Sequence, residues 1–317
     1  MRRPLTITLT VLGTLIVVPT LTLATTAVIN AVVTASELSS IAPYGQLVAV
    51  EGKQMNVVVS GDSGGGEETI VLLPGLGTAA PALDFAPLID ALDDEHRVVA
   101  VEPFGTGLSD QTDAPRTAEN ITREVHEALG QLGIDRYVLM GHSIAGIYAL
   151  TYSAAYADEM VAFVGIDSSV PGQPGAEEPI VTEGMSLLRD LGISRALAAL
   201  AGDPYEGLPH DPSTKEQMAA LSTKNSTAPT MLDEFEHAAR TFAEARGAVF
   251  PRDLPMLLFV VAEDPELPGW ASLHEEQAAG VEYGRVVLLD GGHYLHHTRS
   301  PEIADETAAF LASESSR

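Results

Sequence analysis

The chain has 317 residues, a formal net charge of −27 and no cysteine. Its 44 acidic residues far outnumber its 17 basic ones, and such a surface repels phosphate backbones, which excludes nucleic acid as a partner. The missing cysteines exclude disulfides, thiol catalysis and cysteine-ligated metals. Hydrophobic residues make up 45% of the chain, enough for a sizeable core, and the length fits one large domain plus a membrane segment.

The N-terminus predicts a membrane anchor. Arg2 and Arg3 precede an uncharged stretch, Pro4–Ser36, that exceeds the roughly 20 residues needed to cross a bilayer. We therefore predict a signal anchor over residues 1–36, with the two arginines in the cytoplasm and the rest of the chain outside the cell. One alternative is a signal peptide cleaved after 33–35 and a secreted protein, although the stretch is much longer than a signal core. The other alternative is a soluble protein with a buried N-terminal helix.

Residues 37–317 are predicted to form an α/β domain. A juxtamembrane linker over 37–44 leads into an antiparallel hairpin, after which strands and helices alternate. This rhythm is typical of a mostly parallel sheet covered by helices. The predicted strands are 47–50, 55–60, 69–73, 97–101, 137–140, 161–166, 256–261 and 285–289, and the predicted helices are 82–93, 118–132 and 144–156.

The segment from about 171 to 250 interrupts the alternation. It opens with prolines and glycines, and helical spacing of apolar residues over 185–200 and 230–245 predicts helices there. We interpret this segment as a helical cap over Ser143. Its apolar residues either line an acyl or alkyl pocket or pack the cap onto the sheet, and we favour packing for most of them. The residues concerned are Met185, Leu188, Met218 and Met231.

The most informative stretch is Leu-Met-Gly-His-Ser-Ile-Ala-Gly over 139–146. A buried strand is predicted to end here in a Gly-x-Ser-x-small-Gly turn that passes directly into a helix. This context predicts a nucleophile elbow with Ser143 at its tip. Small residues must flank the serine because the start of the helix packs against the strand. The residues that meet this requirement are Gly141, Ala145 and Gly146.

A second glycine turn, Pro-Gly-Leu-Gly, follows the predicted strand 69–73. Gly75 and Gly77 allow the backbone to approach a ligand closely. We predict that the backbone N–H groups of Leu76 and Ile144 form an oxyanion hole. An ordinary strand-to-helix loop remains the alternative for this turn.

A general base is predicted after the late strand 285–289. The sequence Gly-Gly-His places His293 on a short loop at the sheet edge, where its ring can take the proton of Ser143. His293 and His297 also have the i, i+4 spacing of a helical metal-ligand pair. No glutamate lies between them, however, so we predict no metal and interpret His296 and His297 as structural.

The carboxylate that orients His293 has three candidates. Asp264 follows the predicted strand 256–261 and is the preferred one, because a carboxylate there could hold the ring in the correct tautomer. Glu263 is adjacent and has a longer reach. Asp167 follows the strand 161–166 and is the third option.

These motifs together resemble the α/β-hydrolase fold superfamily over about 69–312. The resemblance rests on the segments Pro74–Gly77, Gly105–Asp110, Gly141–Gly146, Ala262–Asp264 and Gly291–His293. The chain order of nucleophile, acid and base is also that of the superfamily. The chain is particularly similar to uncharacterised Gram-positive hydrolases with an N-terminal membrane segment.

Two departures from the superfamily pattern affect the predicted site. The usual His-Gly of the oxyanion loop is here Pro74-Gly75, so no histidine contributes to that loop. The acid strand of the superfamily ends in Gly-x-x-Asp, whereas here Ala262 replaces the glycine and the spacing to Asp264 is one residue shorter.

The resemblance implies a Ser-His-acid mechanism without a metal or organic cofactor, and it implies no particular substrate. We expect hydrolysis of a carboxylic ester, on a small-molecule or lipid-like substrate. A serine at 143 argues against epoxide hydrolase and dehalogenase chemistry, which the superfamily performs with a carboxylate nucleophile. The alternatives are a surface-anchored binding protein without turnover, and a peptidase or acyltransferase that uses the same serine.

Overall fold

The computed structural model describes residues 3–61, 68–263 and 267–315, with side chains described from residue 15 to 314 within these ranges. The chain divides into two compact units. One unit combines the N-terminal residues up to Ala42 with Glu183–Glu206. The other contains Pro43–Thr182 and the chain from Gly207 onward.

The larger unit is built on an eight-stranded sheet in the order β1-β2-β4-β3-β5-β6-β7-β8. The first two strands form an antiparallel hairpin, β2 pairs antiparallel with β4, and all further pairs are parallel. This confirms the predicted mostly parallel sheet of an α/β fold. The strands are β1 (Gln46–Val50), β2 (Lys53–Ser60), β3 (Thr69–Leu73), β4 (Arg97–Glu102), β5 (Tyr137–His142), β6 (Met160–Ile166), β7 (Met256–Val261) and β8 (Gly284–Leu289).

The sheet separates two apolar layers, because alternate residues of each strand point to opposite faces. Residues of α2, α3 and α12 form the core on one face, and residues of α4, α5 and α10 pack on the other. The helices are α1 (Arg3–Ser40), α2 (Pro81–Asp84), α3 (Ala86–Leu92), α4 (Ala118–Gln131), α5 (Ala145–Tyr156), α6 (Met185–Asp190), α7 (Ile193–Ala201), α8 (Pro212–Asn225), α9 (Pro229–Glu244), α10 (Trp270–Ala279), α11 (Leu295–Thr298) and α12 (Ser300–Ser315).

The strand order explains why distant motifs meet. The chain passes from β3 to the outer strand β4 and then returns to β5 on the other side of β3. Loops at such a reversal leave the sheet in opposite directions and open a crevice at its carboxyl edge. Leu73 pairs with Gly141, so the loop after β3 and the turn after β5 begin side by side.

Three segments differ from the sequence-based expectation. The predicted linker over 37–44 is helical as far as Ser40, so that helix α1 continues beyond the apolar stretch. The single helix expected over 185–200 is two helices, because Gly192 adopts a left-handed φ of 74° between them. The helix expected over 82–93 is likewise two short helices that meet at Phe85.

Helix α1 is the one element in the described part of the chain that is long and apolar enough to cross a membrane. The described candidate span, Leu15–Ser40, has 26 residues, and none of its most apolar stretch is buried. Threonines along the helix donate their hydroxyl hydrogens to backbone carbonyls three or four residues earlier, as Thr20 does to Ile16. These bonds satisfy hydroxyl groups that would otherwise be costly to place in hydrocarbon.

Candidate active site

Ser143 lies at a tight turn between β5 and α5. Its φ of 54° is in the left-handed region, a strained conformation for a residue with a side chain, which is typical of functional sites. The turn is fixed by its backbone, since the Ser143 carbonyl accepts hydrogen bonds from the N–H groups of Gly146 at 3.0 Å and Ser169 at 2.7 Å. The structure therefore places Ser143 at a tight strand-to-helix turn, the backbone context that a nucleophile elbow requires.

The small residues around Ser143 lie in close contacts. A side chain at Gly146 would collide with the carbonyl oxygen of Ser169, and a Cβ at Gly141 would lie 2.9 Å from the Cβ of Ala145. Ala145 is itself completely buried. The first turn of α5 can approach the sheet this closely only because these positions carry little or no side chain.

The loop after β3 lies against this turn. A Cβ placed on Gly75 would be 3.0 Å from the Cβ of Ser143 and 2.7 Å from Nδ1 of His142. Within the described residues, the N–H groups of Leu76 and Ile144 donate no hydrogen bond. Unpaired donors beside the serine are what an oxyanion hole requires, because they are free to bind the charge that develops in a tetrahedral intermediate.

His293 is held by a carboxylate from another strand end. Its Nδ1 lies 2.6 Å from Oδ2 of Asp167, the residue that directly follows β6. The other oxygen of Asp167 accepts hydrogen bonds from the N–H of Val261 at 3.1 Å and from Nε1 of Trp270 at 2.7 Å. Asp167 is 2% exposed, whereas the His293 side chain is 45% exposed, so a buried and fully bonded acid orients an accessible base.

The structure thus brings the third sequence candidate to His293. Asp264, the preferred candidate, falls in 264–266 and lies outside the described residues. Glu263 is described, and it makes no hydrogen bond with His293 in that part of the chain. Because Nδ1 carries a single hydrogen, its bond to Asp167 occupies the position that an orienting acid would take.

Trp270 has a role that sequence reasoning missed. Its indole N–H donates to one carboxylate oxygen of Asp167 and leaves the other oxygen for His293. The left-handed φ of Asp167, 41°, is a second sign of a constrained site residue. The only sequence signal for Asp167 is its position directly after a buried strand.

Known proteins share this architecture. The model of the alpha/beta hydrolase family matches residues 70–306, which is most of the chain. The chain belongs to the alpha/beta hydrolase family. It is 27% identical over 281 residues to the uncharacterized protein YbdG of Bacillus subtilis (strain 168), covering 84% of this chain and 85% of that protein.

Two further proteins are similar to this chain over most of its length. The chain is 25% identical to the 2-(acetamidomethylene)succinate hydrolase of Mesorhizobium japonicum, over 72% of this chain and 82% of that enzyme. The crystal structure of wild-type Cfl2 from Burkholderia cenocepacia superposes with a TM-score of 0.66, with 19% identity, over 84% of this chain and 95% of that one. The latter likeness concerns the fold alone.

His142 contacts both loops that lie beside Ser143 in the candidate site. Its Nε2 donates to the backbone oxygen of His293 at 3.1 Å, and its ring centroid lies 4.6 Å from that of His293. Its Nδ1 is buried under Gly75 and has no hydrogen-bond partner among the described residues. Burial lowers the pKa of His142 well below its usual value, with a further contribution from His296. The ring is therefore neutral, which fixes Nε2 as the donor.

A second polar cluster lies behind the base loop. Oδ2 of Asp84 lies 2.8 Å from Nε2 of His296, and Oδ1 lies 2.8 Å from Nε2 of His297. Burial tends to raise the pKa of Asp84, but the hydrogen bonds from both histidines outweigh it and hold this pKa below its usual value. This arrangement gives His296 and His297 the structural hydrogen bonds that the sequence interpretation assigns to them.

Asp84, His296 and His297 are also the described residues with the donor set for a metal ion. Their ligand atoms all lie within 4.8 Å of one another. Each carboxylate oxygen, however, already accepts one imidazole N–H, and this pairing satisfies the carboxylate without an ion. We therefore keep the prediction that the site uses no metal.

Glu102, at the end of β4, anchors the loop that follows it. Its carboxylate accepts hydrogen bonds from Asn56 and Tyr44 at 2.9 Å and from the N–H of Leu108 at 2.8 Å. Burial raises the pKa of Glu102, and these donors oppose that shift. A side chain on Gly107 would collide with this carboxylate. The arrangement agrees with a loop that is positioned near the site without taking part in chemistry.

The cap residues singled out from the sequence divide into two groups. Met218 and Met231 are buried, and Met231 lines a small cavity together with Gly75 and Gly77 of the loop after β3. Leu188 is 41% exposed, and Met185 is partly exposed. Packing therefore accounts for Met218, while Met231 also borders the space beside the candidate oxyanion hole.

The lowered pKa of buried His142 predicts a loss of stability in acid. A His142 pKa depressed in the folded state means that, below about pH 6.5, the unfolded chain binds a proton that the folded chain does not. The free energy of unfolding should therefore fall as the pH drops from about 6.5 to about 5, and His142→Gln should reduce this slope by up to about 1.4 kcal/mol per pH unit. Urea unfolding in detergent at a series of pH values measures both slopes. Identical slopes for the two proteins would show that His142 takes up a proton as readily in the folded chain as in the unfolded one, and would contradict the lowered pKa.

Proposed function

We propose that the protein is a serine hydrolase that cleaves a carboxylic ester through Ser143, His293 and Asp167. The observation that carries the proposal is the 2.6 Å contact between Asp167 and His293, combined with the left-handed turn at Ser143. An activated serine needs a base, and the base needs an orienting acid. All three groups lie at the carboxyl edge of the sheet, after β5, β6 and β8.

The reaction proceeds in two halves. Nε2 of His293 takes the proton of the Ser143 hydroxyl while Oγ attacks the ester carbonyl, and the N–H groups of Leu76 and Ile144 bind the oxyanion. His293 then gives its proton to the departing alkoxide, which leaves as the alcohol. A water activated by His293 hydrolyses the acyl-serine, releasing the carboxylic acid and restoring the hydroxyl of Ser143.

The substrate is proposed to be a small or lipid-like ester. The relatives include hydrolases of small molecules, such as the 2-(acetamidomethylene)succinate hydrolase of Mesorhizobium japonicum. The small cavity beside the candidate oxyanion hole is bordered by Met231, Ile121 and Leu73 and also by Glu234, and its volume of about 10 Å³ would hold no more than a water-sized group. A peptidase or acyltransferase would use the same serine, and the choice between them depends on the substrates and acceptors offered.

The hydrolase unit is proposed to lie at the outer face of the cell membrane, held by α1. The charge pattern supports this, since Arg2 and Arg3 precede the apolar stretch. Retention of the segment is supported by Arg195, whose guanidinium bonds to Asn30, Thr34 and Glu37 of α1. Cleavage after 33–35 would remove Asn30 and Thr34 as partners of this partly buried guanidinium and release a secreted enzyme.

Labelling with a fluorophosphonate tests the activated serine. Full-length protein in detergent is expected to be labelled, Ser143→Ala is expected to lose all label, and His293→Ala is expected to lose most of it. Ser153→Ala is the matched control, because this serine bonds to the Leu150 carbonyl of its own helix and should leave labelling unchanged. A p-nitrophenyl ester series then defines the acyl length. A folded wild-type protein without label would favour the non-catalytic binding function instead.

A further inference from the structure

The smaller unit contains a pair of short helices joined to α1. Helices α6 and α7 follow each other through Gly192, whose left-handed φ allows the sharp turn. A Cβ at this glycine would lie 2.9 Å from the Cβ of Asn30 and 3.1 Å from the carbonyl oxygen of Thr26. The side-chain amide of Asn30 also donates to the carbonyl of Arg189 at 3.0 Å. The turn therefore lies directly on α1.

Arg195 provides a second, polar connection. Its Nε bonds to Asn30 at 2.9 Å, and its terminal nitrogens bond to Thr34 and to both carboxylate oxygens of Glu37 at 2.8 Å. The three partners have i, i+4 and i+7 spacing and so share one face of α1. A two-pronged bond between guanidinium and carboxylate fixes orientation as well as distance. Arg195 thus sets the rotation of α7 about its own axis.

The opposite face of α7 is apolar and exposed. At helical spacing, Leu197 and Leu200 lie on the side away from Arg195, and they are 58% and 86% exposed. Leu187 on α6 is 60% exposed, and neither helix has a buried residue. We call Leu187, Leu197 and Leu200 the leucine face. An exposed apolar surface on helices that are fixed in position marks an interaction site.

The position of Arg195's partners along α1 indicates what the leucine face meets. Helix α1 has 38 residues and is about 57 Å long, whereas the hydrocarbon core of a bilayer is about 30 Å thick. Asn30 is the first amide or charged side chain after Arg3, so the outer boundary of the hydrocarbon lies close to it. Helices fixed to Asn30, Thr34 and Glu37 therefore lie at the level of the lipid headgroups.

We propose that α6 and α7 form a membrane-docking element whose leucine face inserts into the outer interfacial layer of the bilayer that α1 spans. The inference rests on the proposed membrane anchoring and is independent of the proposed chemistry. Insertion is driven by apolar contact, because Arg195 is bound to Glu37 and Arg189 lies beside Asp190 at 2.8 Å. Zwitterionic lipid should therefore be sufficient, as expected for a chain with a net charge of −27.

The absence of cysteine allows a direct test with single introduced cysteines. Full-length Leu200→Cys carries an environment-sensitive fluorophore and is reconstituted into phosphatidylcholine vesicles with or without spin-labelled lipid. Val17→Cys, within the candidate span, reports anchoring, and the exposed Glu119→Cys on α4 reports solvent. The label at 200 should be quenched about twofold or more relative to the label at 119. Adding Arg195→Gln should remove most of this difference.

The outcomes separate docking from anchoring. Quenching at 17 without quenching at 200 overturns the docking element and leaves the anchor in place. A blue-shifted but unquenched label at 200 also overturns it, because the face is then covered by protein, such as a second copy of the chain. No quenching at either position overturns anchoring as well. Fluorophosphonate labelling of the same samples reports the serine separately.

Discussion

Asp167→Asn is expected to lower kcat for ester hydrolysis by about four orders of magnitude. The buried carboxylate receives Nδ1–H of His293 and stabilises the imidazolium that forms during attack. An amide cannot supply this charge, and it allows the ring to adopt the wrong tautomer. Rates measured on a p-nitrophenyl ester, together with thermal unfolding to establish that the variant is folded, check the expectation.

The neighbouring carboxylates provide the comparison for this variant. Glu263→Gln and Asp264→Asn are expected to retain near wild-type kcat, since Nδ1 of His293 is already bound to Asp167. Trp270→Phe should give an intermediate loss, because it removes one of the donors that hold the Asp167 carboxylate. A collapse of activity in Asp264→Asn with a near-normal Asp167→Asn would assign the acid to β7 and contradict the proposal.

Arg116→Met is expected to lower the free energy of unfolding by about 3–5 kcal/mol. Arg116 and Glu124 form an ion pair of 2.6 Å whose side chains are both 0% exposed. Burial raises the pKa of Glu124, and the charge of Arg116 opposes that shift. Without the arginine, a buried carboxyl must either stay charged without a partner or take up a proton. Urea unfolding in detergent measures the change.

The double variant Arg116→Met/Glu124→Met tests whether the unpaired carboxylate of Glu124 causes the loss of stability. Replacing both members of a buried pair by apolar residues of similar size is often nearly neutral, so the double variant should recover most of the lost stability. Arg285 and Glu306 form an exposed pair, and Arg285→Gln should change stability by about 1 kcal/mol or less. If Arg116→Met lowered the free energy of unfolding as little as Arg285→Gln, water or another group would have to bind the carboxylate of Glu124 in place of the arginine.

The amino-acid sequence determined the strands and the motifs that follow them. Apolar runs such as Thr69–Leu73 and Met256–Val261 have the bounds predicted for them, because a strand buried on both faces needs uninterrupted apolar residues. The strand-to-helix turn at Ser143 was predictable for a local reason, since strand, small residues and helix are contiguous in the chain. The same holds for His293, which follows a strand and two glycines.

Contacts between distant residues were decided by the tertiary structure. The three candidate carboxylates all follow strands, and only the sheet order β6-β7-β8 places Asp167, 126 residues before His293, against its ring. Asp84 lies 212 residues from His296, and Arg195 lies 158 residues from Glu37. Sequence patterns report local periodicity, whereas these pairs depend on how whole elements pack. The cap is the clearest case, because part of the helical segment expected over 171–250 forms a unit with the N-terminal helix through Arg195 and Gly192.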